Sequence, residues 1–455
     1  MIKNTHLLVI GFDEIVSNKY INSIKKAVES GNINGYSILD LSSQRQNIES
    51  RLASLDLQPD NIYLIDDPTK DKPCKADDFE PIIRKIRSEN DSIKVYIATE
   101  LRAHEVYLRY CVENGIDSLV EKPVLAPMVC GRFVPENINP IIRDLVEKSK
   151  QKDARHSVMT LGRYHPIYND KLIGSLKKVM INEKSPLTSL HLRAAGGVWN
   201  LHREYESRED HPYKYGYGMI MHGAYHYIDL VTQMLLLNKL IYPDVIFEVK
   251  LSSFGAYPHD QNDRISKKYS DMFDDNEPDR HSLDSNEAKY GETDITCSFC
   301  MSDKKTGRKI TVGTISLEQT TPSIRSWKDI PDGLYNKNGR TSSVQYEAQL
   351  STLMSVGVHC YDVPIAENHQ VDRIDAKAVL ITRKNASLLK DAKYIEEKNY
   401  TGIFHSESNK RLMEAWLSNQ EDRSSLESHL PVMLLAQALA ESLKNQGKAV
   451  IFDLG

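Results

Sequence analysis

Two groups of residues in this sequence have the side-chain types and spacing for proton-transfer chemistry on a bound small molecule. The first contains Lys122, in the segment SLVEKPVL at residues 118–125. A lysine that directly follows a strand can hold a substrate oxygen and stabilise the negative charge that develops on it. The second contains His222 and His226. Histidine has an ordinary pKa near neutral pH, so it commonly serves as general acid or base.

The two histidines lie four residues apart in the segment MIMHGAYHYIDL, residues 219–230. Apolar spacing from Met219 predicts a helix, which would place both rings on one face. Two histidines at this spacing can also bind zinc, but HGAYH lacks the glutamate of a zincin helix and no third ligand is evident. We therefore predict acid–base chemistry here and no metal site.

A strand–helix–strand pattern must position Lys122. Short apolar runs at 94–98 and 116–120 predict two strands, and the helical spacing at 103–113 predicts a helix that ends at Gly115. Such a unit implies neighbouring parallel strands joined by a right-handed crossover. Ligands bind outside the carboxyl ends of these strands. We therefore expect Thr99, Glu100 and Lys122 to face one crevice.

These motifs resemble the Gfo/Idh/MocA family of oxidoreductases. In that family an IAT-x-x-x-x-H segment precedes an EKP motif, as Ile97-Ala98-Thr99 and His104 precede Glu121-Lys122-Pro123 here. GRYHPIY at 162–168 is similar to the family's Y-R-x-x-P segment. The resemblance covers most of the chain except residues 256–292 and 328–425. It implies an α/β plus α+β fold: a Rossmann-like doubly wound parallel sheet, then a domain with an open, mainly antiparallel sheet.

The resemblance also implies roles for residues of the second domain. His226 matches the last histidine of the family pattern G-G-G-x-x-x-D-x-G-x-H, which acts as acid or base at the substrate carbon. His222 stands where many members have aspartate, and it is expected to face substrate. Further substrate-binding candidates are Arg163, His165 and Tyr225. The structural alternative for these residues is packing or hydrogen bonding at a domain interface.

The implied cofactor is NAD or NADP, but the phosphate-binding loop departs from the G-x-G-x-x-G fingerprint. The sequence after the first strand is Gly11-Phe12-Asp13-Glu14-Ile15-Val16, with one glycine and two carboxylates. Asp40, after the second predicted strand, can accept the ribose hydroxyls of NAD. Ser42, Ser43 and Arg45 could instead hold a 2′-phosphate, so NAD is only favoured. The predicted cofactor-binding residues are Gly11, Phe12, Asp40, Thr99, Glu100, His104, Glu121 and Lys122.

Length and composition are consistent with two domains. A chain of 455 residues exceeds the usual size of one domain, and we predict a cofactor domain at 1–150 and a substrate and oligomerisation domain at 151–455. Residues 257–293 are rich in Asp, Asn, Ser and Lys and predict an exposed insertion. In the second domain, strands are predicted at 189–193, 245–252, 295–301 and 309–318.

Charge and cysteine content exclude other classes of function. A net charge of −5 gives no basic surface for nucleic acid, and no apolar run reaches the roughly 18 residues of a membrane span. Six cysteines in a chain of this length predict a reducing cytoplasm. Cys297 and Cys300 form a lone CxxC inside an alternating strand, so we interpret them as strand residues rather than metal ligands.

The sequence therefore predicts an NAD(P)-dependent oxidoreductase that transfers hydride between nicotinamide and a carbinol carbon of a sugar-like or polyhydroxylated substrate. The open sheet that the resemblance implies also predicts a homo-oligomer. Two alternatives stay open: a glycoside hydrolase-like enzyme that retains its NAD through the cycle, and an inactive family member with a binding or regulatory role.

Overall fold

The computed structural model describes residues 4–69, 73–197, 200, 202–209, 211–266, 290–323, 341–367, 370–390 and 393–454. The chain divides into two compact units. The first contains Met1–Tyr164 and His405–Met433, and the second contains His165–Phe404 and Leu434–Gly455. Among the described residues, no helix is both long and apolar enough to cross a membrane.

A parallel sheet forms the centre of the first unit. Within the described residues its six strands are β1 (Thr5–Ile10), β2 (Gly35–Leu41), β3 (Asn61–Ile65), β4 (Ser92–Ile97), β5 (Asp117–Glu121) and β8 (His156–Met159). Their order is β3-β2-β1-β4-β5-β8, and all neighbouring pairs are parallel. The chain winds in opposite directions from β1, so the switch point lies between β1 and β4. This confirms the Rossmann-like sheet that was expected.

Helices connect these strands, and a short hairpin follows β5. The helices are α1 (Ile21–Glu29), α2 (Arg45–Leu52), α3 (Ala76–Glu89), α4 (His104–Asn114) and α5 (Ile138–Ser149), and the hairpin consists of β6 (Met128–Val129) and β7 (Arg132–Phe133). A π-helical segment, Val16–Tyr20, leads into α1. Gly115 caps α4 in the left-handed conformation with φ of 62°, as its position in the sequence predicted.

A later helix, α10 (His405–Leu417), also belongs to the first unit. The buried Lys94 of β4 holds the end of this helix: its ammonium donates to the carbonyl of Trp416 at 3.1 Å and to Asn419 Oδ1 at 2.8 Å. The same ammonium lies 3.4 Å from the Asp117 carboxylate. The predicted division at residue 150 did not anticipate this return of the chain, because it depends on contacts between residues far apart in sequence.

A mixed, mainly antiparallel sheet forms the second unit, as expected. In the described part of the chain its nine strands are β9 (Leu187–Ala195), β10 (Phe247–Ala256), β11 (Asp294–Asp303), β12 (Lys309–Glu318), β13 (Ser343–Leu350), β14 (Met354–Glu367), β15 (Gln370–Lys384), β16 (Ile395–Thr401) and β17 (Val450–Asp453). Their order is β16-β15-β14-β13-β9-β12-β11-β10-β17, and only the β9–β12 pair is parallel. Apolar side chains of β13 are buried and alternate with exposed Gln345, Glu347 and Gln349. At β13, therefore, one face of the sheet is covered and the other is polar.

Among the described residues, the other α-helices are α6 (Gly174–Glu183), α7 (His202–Ser207), α8 (Tyr225–Leu236), α9 (Gln261–Arg264) and α11 (Leu430–Lys444). A second π-helical segment, Pro166–Ile173, precedes α6. Of the insertion predicted at 257–293, residues 267–289 lie outside the described residues. The last four residues of the insertion, 290–293, are buried, so the prediction of an exposed loop is wrong for them. One of these buried residues, Glu292, belongs to the site described below.

Candidate functional site

The loops at the carboxyl ends of β1, β2 and β4 contact one another. Gly11 follows β1 with φ of 86°, and a Cβ built on it would lie 2.8 Å from the carbonyl oxygen of Ala98, which follows β4. Only glycine allows this conformation and this approach together. The N–H of Phe12 donates to Asp40 Oδ2 at 2.8 Å, which links the loop after β1 to the carboxyl end of β2.

His104 joins the loops after β4 and β5. Its buried ring lies with Nδ1 2.8 Å from the carbonyl oxygen of Pro123 and Nε2 3.0 Å from that of Thr99. Burial lowers the pKa of His104. Both ring nitrogens thus face backbone carbonyls, which favours a role in holding the Lys122-Pro123 segment beside Thr99. The peptide bond between Lys122 and Pro123 is cis.

The other predicted residues of this edge are half-buried. Lys122 directly follows β5. Beside it, the Glu121 carboxylate accepts a hydrogen bond from the buried Tyr96 hydroxyl at 2.8 Å. Glu100 accepts hydrogen bonds from the N–H and Nε of Arg102 at 3.0 and 2.7 Å. The Thr99 hydroxyl is buried without a hydrogen-bond partner among the described residues, and such a group is a candidate for contact with a ligand.

Asp40 and Asp67 give the end of β2 an acidic character. Asp40 Oδ1 accepts the N–H of Leu41 at 2.7 Å, so each of its two carboxylate oxygens holds one backbone donor. Burial raises the pKa of Asp40, although these hydrogen bonds oppose the rise. The Asp67 carboxylate accepts hydrogen bonds from the N–H of Ser43, at 3.0 Å, and from its hydroxyl. Ser42 donates to the carbonyl of Ile65 at 3.0 Å.

The turn that should receive a diphosphate contains an acidic side chain. Asp13 Oδ1 accepts the N–H of Val16 at 3.0 Å, at the start of the π-helical segment that leads into α1. Burial raises the pKa of Asp13 to about 6. Dinucleotide-binding folds usually leave such N–H groups to the diphosphate. The first unit therefore fits a dinucleotide at Gly11, Asp40 and Thr99, and departs from one at Asp13.

The second unit contains an aromatic cluster around His222. The prediction that the helix begins at Met219 is wrong, because α8 begins at Tyr225 and His222 lies in the preceding turns. The buried His222 ring contacts His211, Tyr213 and Tyr217, with centroid distances of 5.1, 4.8 and 5.6 Å and near-perpendicular planes. His222 and His226 therefore do not share one helical face.

Glu292 supports the turns that carry His222, and sequence analysis did not identify it. Its backbone carbonyl accepts the N–H of Met219 at 2.9 Å, and its Oε1 accepts the N–H of Ile220 at 2.8 Å. A Cβ on Gly218 would lie 2.0 Å from the Glu292 carbonyl oxygen, so this close approach requires glycine. Burial raises the pKa of Glu292 to about 7. The only signal in the sequence was the position of Glu292 directly before an apolar strand.

His226, Tyr225 and Asp229 lie in α8. Tyr225 is fully buried, and His226 is 8% exposed. The Asp229 carboxylate accepts a hydrogen bond from Gln233 Nε2 at 2.8 Å, one turn further along the helix. This contact favours a structural role for Asp229.

Arg163 and His165, two of the predicted substrate-binding residues, are buried. Arg163 donates to the carbonyls of Arg423 and Ser428 at 3.0 and 3.2 Å, and also to the Ser428 hydroxyl. His165 is fully buried, and its ring stacks on Tyr168 at a centroid distance of 4.2 Å. Its Nδ1 accepts the N–H of Tyr168 at 3.4 Å. These contacts favour the structural alternative for both residues.

The CxxC segment has the strand conformation expected of it. Cys297 is buried and Cys300 is half-buried, both are in β11, and both are free thiols. Burial raises the pKa of Cys297 to about 11, which keeps the thiol protonated. In the part of the chain that the structure describes, no cluster of three or more His, Cys, Asp or Glu side chains is arranged to hold a metal ion.

The sequence matches no family model, and no curated protein matches it. Solved structures do match its fold. Levoglucosan dehydrogenase, in complex with NADH and levoglucosan, is 12% identical over 99% of this chain and 100% of its own, with a TM-score of 0.54. An inositol dehydrogenase homolog from Azotobacter vinelandii, complexed with NADH and myo-inositol, is 12% identical over 99% and 98%, with a TM-score of 0.52.

A third neighbour is an oxidoreductase from Agrobacterium radiobacter in complex with NAD⁺, L-tartaric acid and magnesium. It is 11% identical, with a TM-score of 0.53, over 99% of this chain and 98% of its own. Identities this low establish the architecture and leave the chemistry to be argued from the residues. The chain therefore shares the fold of these neighbouring oxidoreductases, which is the fold that its resemblance to the Gfo/Idh/MocA family implied.

Proposed function

We propose that this protein is a nicotinamide-dependent oxidoreductase acting on a CH–OH group of a polyhydroxylated or sugar-like substrate. The main support for the proposal is that the carboxyl end of β2 and the loops after β1, β4 and β5 are joined in series at one edge of the sheet. The links are the hydrogen bond between Phe12 and Asp40, the close approach of Gly11 to Ala98, and the two His104 contacts. This edge is where parallel α/β sheets bind ligands.

In this proposal the bound nicotinamide supplies the hydride chemistry, and the chain supplies orientation and proton transfer. Gly11 allows close approach of the backbone, Asp40 accepts ribose hydroxyls, and the buried Thr99 hydroxyl gains a partner. Lys122 holds the substrate oxygen and stabilises its negative charge. His226 takes the hydroxyl proton, a contribution of about 10²- to 10⁴-fold to the rate.

The charges at the end of β2 support NAD as the cofactor in preference to NADP. A 2′-phosphate bound at Ser42 and Ser43 would lie beside the Asp67 carboxylate, which already accepts two hydrogen bonds from Ser43. Two cations lie near this end of β2: Arg51 donates to the carbonyl of Phe12 at 2.8 Å, and the exposed Arg45 lies 3.7 Å from Glu49. Like-charge repulsion therefore disfavours the extra phosphate.

The neighbours and the residues together support the proposed substrate class. Levoglucosan, myo-inositol and L-tartaric acid, the small molecules in the three neighbouring structures, all carry several hydroxyl groups. We extend the proposal to a homo-oligomer, supported by the open face of the nine-stranded sheet. We also propose a cytoplasmic location, supported by six free thiols among the described residues.

A thermal-shift titration with NAD⁺, NADH, NADP⁺ and NADPH tests the proposal first. At a hundred times its dissociation constant a bound cofactor adds about 2.7 kcal/mol of stability, and we expect the largest shift with NAD⁺ or NADH. Turnover is then measured on a panel of polyols and sugars by the appearance of NADH. Lys122→Ala and His226→Ala should each lose activity by about 10²-fold or more, while Lys25→Ala, a control at a half-buried lysine on α1, should retain it.

Two results would contradict the proposal in different ways. Glycosidic cleavage without net formation of NADH would indicate the hydrolase-like alternative. No shift with any of the four dinucleotides would favour a binding or regulatory protein without nicotinamide, the second candidate function. One observation favours that second candidate: the Asp13 carboxylate lies in the turn where a diphosphate would bind.

A further inference from the structure

Asp13 stands at the second glycine position of the phosphate-binding fingerprint. In dinucleotide-binding folds a glycine there lets the backbone approach the diphosphate. Here the side chain turns toward the start of the helix, and its Oδ1 accepts the N–H of Val16 at 3.0 Å. The carbonyl of Asp13 accepts the N–H of Ser17 at 3.1 Å, so the carboxylate is held over the first helical turn. The Asp13 carboxylate therefore lies where the diphosphate of the cofactor would bind.

The groups that face Asp13 give only partial compensation for its charge. Among the described residues, the charged side chains with the largest effect on the pKa of Asp13 are Glu121, at the end of β5, and Arg51, on α2. The Arg51 guanidinium donates to the carbonyl of Phe12 at 2.8 Å. The hydroxyl of buried Tyr96 faces the same space and donates to Glu121. With two carboxylates and one guanidinium, the surroundings of this turn are net acidic.

We propose that Asp13 limits the affinity of this protein for nicotinamide dinucleotides, because its carboxylate occupies the diphosphate position of the first βα turn. The inference rests on the proposed function and names the residue that regulates cofactor binding there. A diphosphate reaches the helix N–H groups only by displacing a carboxylate that is already hydrogen-bonded to them. Replacement of the charge at position 13 therefore strengthens binding of any ligand that carries the diphosphate.

Because the pKa of Asp13 is raised, its effect on cofactor affinity should depend on pH. A carboxyl group with a pKa of about 6 is largely neutral at about pH 5 and ionised at about pH 7.5. Repulsion of the diphosphate is therefore present at the higher pH and absent at the lower one. Cofactor affinity of the wild-type protein should fall as the pH rises through 6.

Isothermal titration calorimetry measures the effect without reference to activity. NAD⁺ is titrated into the wild-type protein, Asp13→Asn, and the matched control Glu14→Gln. Asparagine retains the side-chain oxygen that caps Val16, and Glu14 is an exposed carboxylate one residue away. We expect Asp13→Asn to bind about tenfold tighter at about pH 7.5, equivalent to about 1.4 kcal/mol, and Glu14→Gln to match the wild type. Asp13→Ser, which also keeps a capping oxygen, is the second variant if Asp13→Asn does not fold.

Two further ligands, ADP and adenosine, test whether Asp13 weakens binding through the phosphates. Asp13→Asn should bind ADP more tightly than the wild type does, but adenosine, which lacks phosphates, with unchanged affinity. The wild-type affinity for NAD⁺ should increase from about pH 7.5 to about pH 5.5, and that of Asp13→Asn should not.

The outcomes separate this inference from the proposed function. If the wild type binds NAD⁺ and Asp13→Asn binds it equally well, the inference is overturned and the oxidoreductase proposal stands. If Glu14→Gln strengthens binding as much as Asp13→Asn, general charge is responsible and the inference is again overturned. If neither the wild type nor either Asp13 variant binds NAD⁺, both proposals fail together.

Discussion

Glu292 should make the stability of this protein decrease between about pH 4.5 and pH 7. Burial raises its pKa from an ordinary value of 4.5 to about 7, so the folded state binds a proton more tightly than the unfolded state does. That stabilisation is complete below the unfolded pKa and is lost as the pH rises through the folded one. Each pH unit of difference corresponds to about 1.4 kcal/mol, so the full effect is about 3 kcal/mol.

Glu292→Gln isolates this contribution. Glutamine keeps the side-chain oxygen that accepts the N–H of Ile220 and carries no titratable proton. At about pH 5, where Glu292 is neutral, variant and wild type should have similar free energies of unfolding. At about pH 8 the variant should be more stable by up to about 3 kcal/mol. Urea unfolding followed by circular dichroism at both pH values measures the difference.

Glu347→Gln is the matched control, because Glu347 is exposed on β13. Its difference from the wild type should be the same at both pH values. The reasoning is refuted if Glu292→Gln shows the same free-energy difference at about pH 5 and pH 8, or if it gains stability only at the lower pH. Either result would mean that the Glu292 carboxylate is ionised in the folded protein at mildly acidic pH.

Three further substitutions test other parts of the structure. Lys94→Met should lower the free energy of unfolding, measured in urea titrations, by about 2 kcal/mol or more. The reason is that the substitution leaves polar groups of α10 and β5 unpaired. The control is Lys26→Met, at an exposed lysine, which should cause no measurable change. Gly11→Ala should weaken NAD⁺ binding in calorimetry and destabilise the first unit by about 1–3 kcal/mol. The control is Gly31→Ala, which should retain binding: Gly31 also has a positive φ, of 71°, but a Cβ built on it would meet no atom within 4 Å. Asp67→Asn should increase affinity for NADP⁺ more than for NAD⁺, measured by the same titrations; equal changes would contradict the assignment of Asp67 to cofactor choice.

Local patterns predicted the parallel sheet well because its signals are contained in short segments. The run His6–Ile10 is buried along its length, and Gly115 ends α4. Both features can be recognised from the local sequence, without knowledge of distant contacts. The four strands predicted in the second unit are β9 to β12, with bounds that differ by a few residues. Strands β13 to β16 were not predicted, because they lie largely in the tract where the resemblance to known motifs is lost.

The errors in the second unit have a physical cause in long-range packing. Apolar spacing from Met219 suggested one continuous helix, and the N–H of His222 does bond the Gly218 carbonyl at 3.0 Å, as in a helical turn. The regular helix begins only at Tyr225, because the preceding turns are fixed by Glu292, which lies more than sixty residues away. The burial of Glu292 depends on the approach of Gly218 and Gly291, and no local pattern contains that information.

Two of the departures from the family pattern change the charge at a position near the proposed ligands. Asp13 puts a carboxylate where the fingerprint has a glycine, and His222 puts an imidazole where many members have an aspartate. The close approach of Gly11 to Ala98 lies beside the first of these positions, and that of Gly218 to Glu292 lies beside the second. A changed charge next to such close backbone packing supports an altered charge requirement of ligand and substrate, as proposed above.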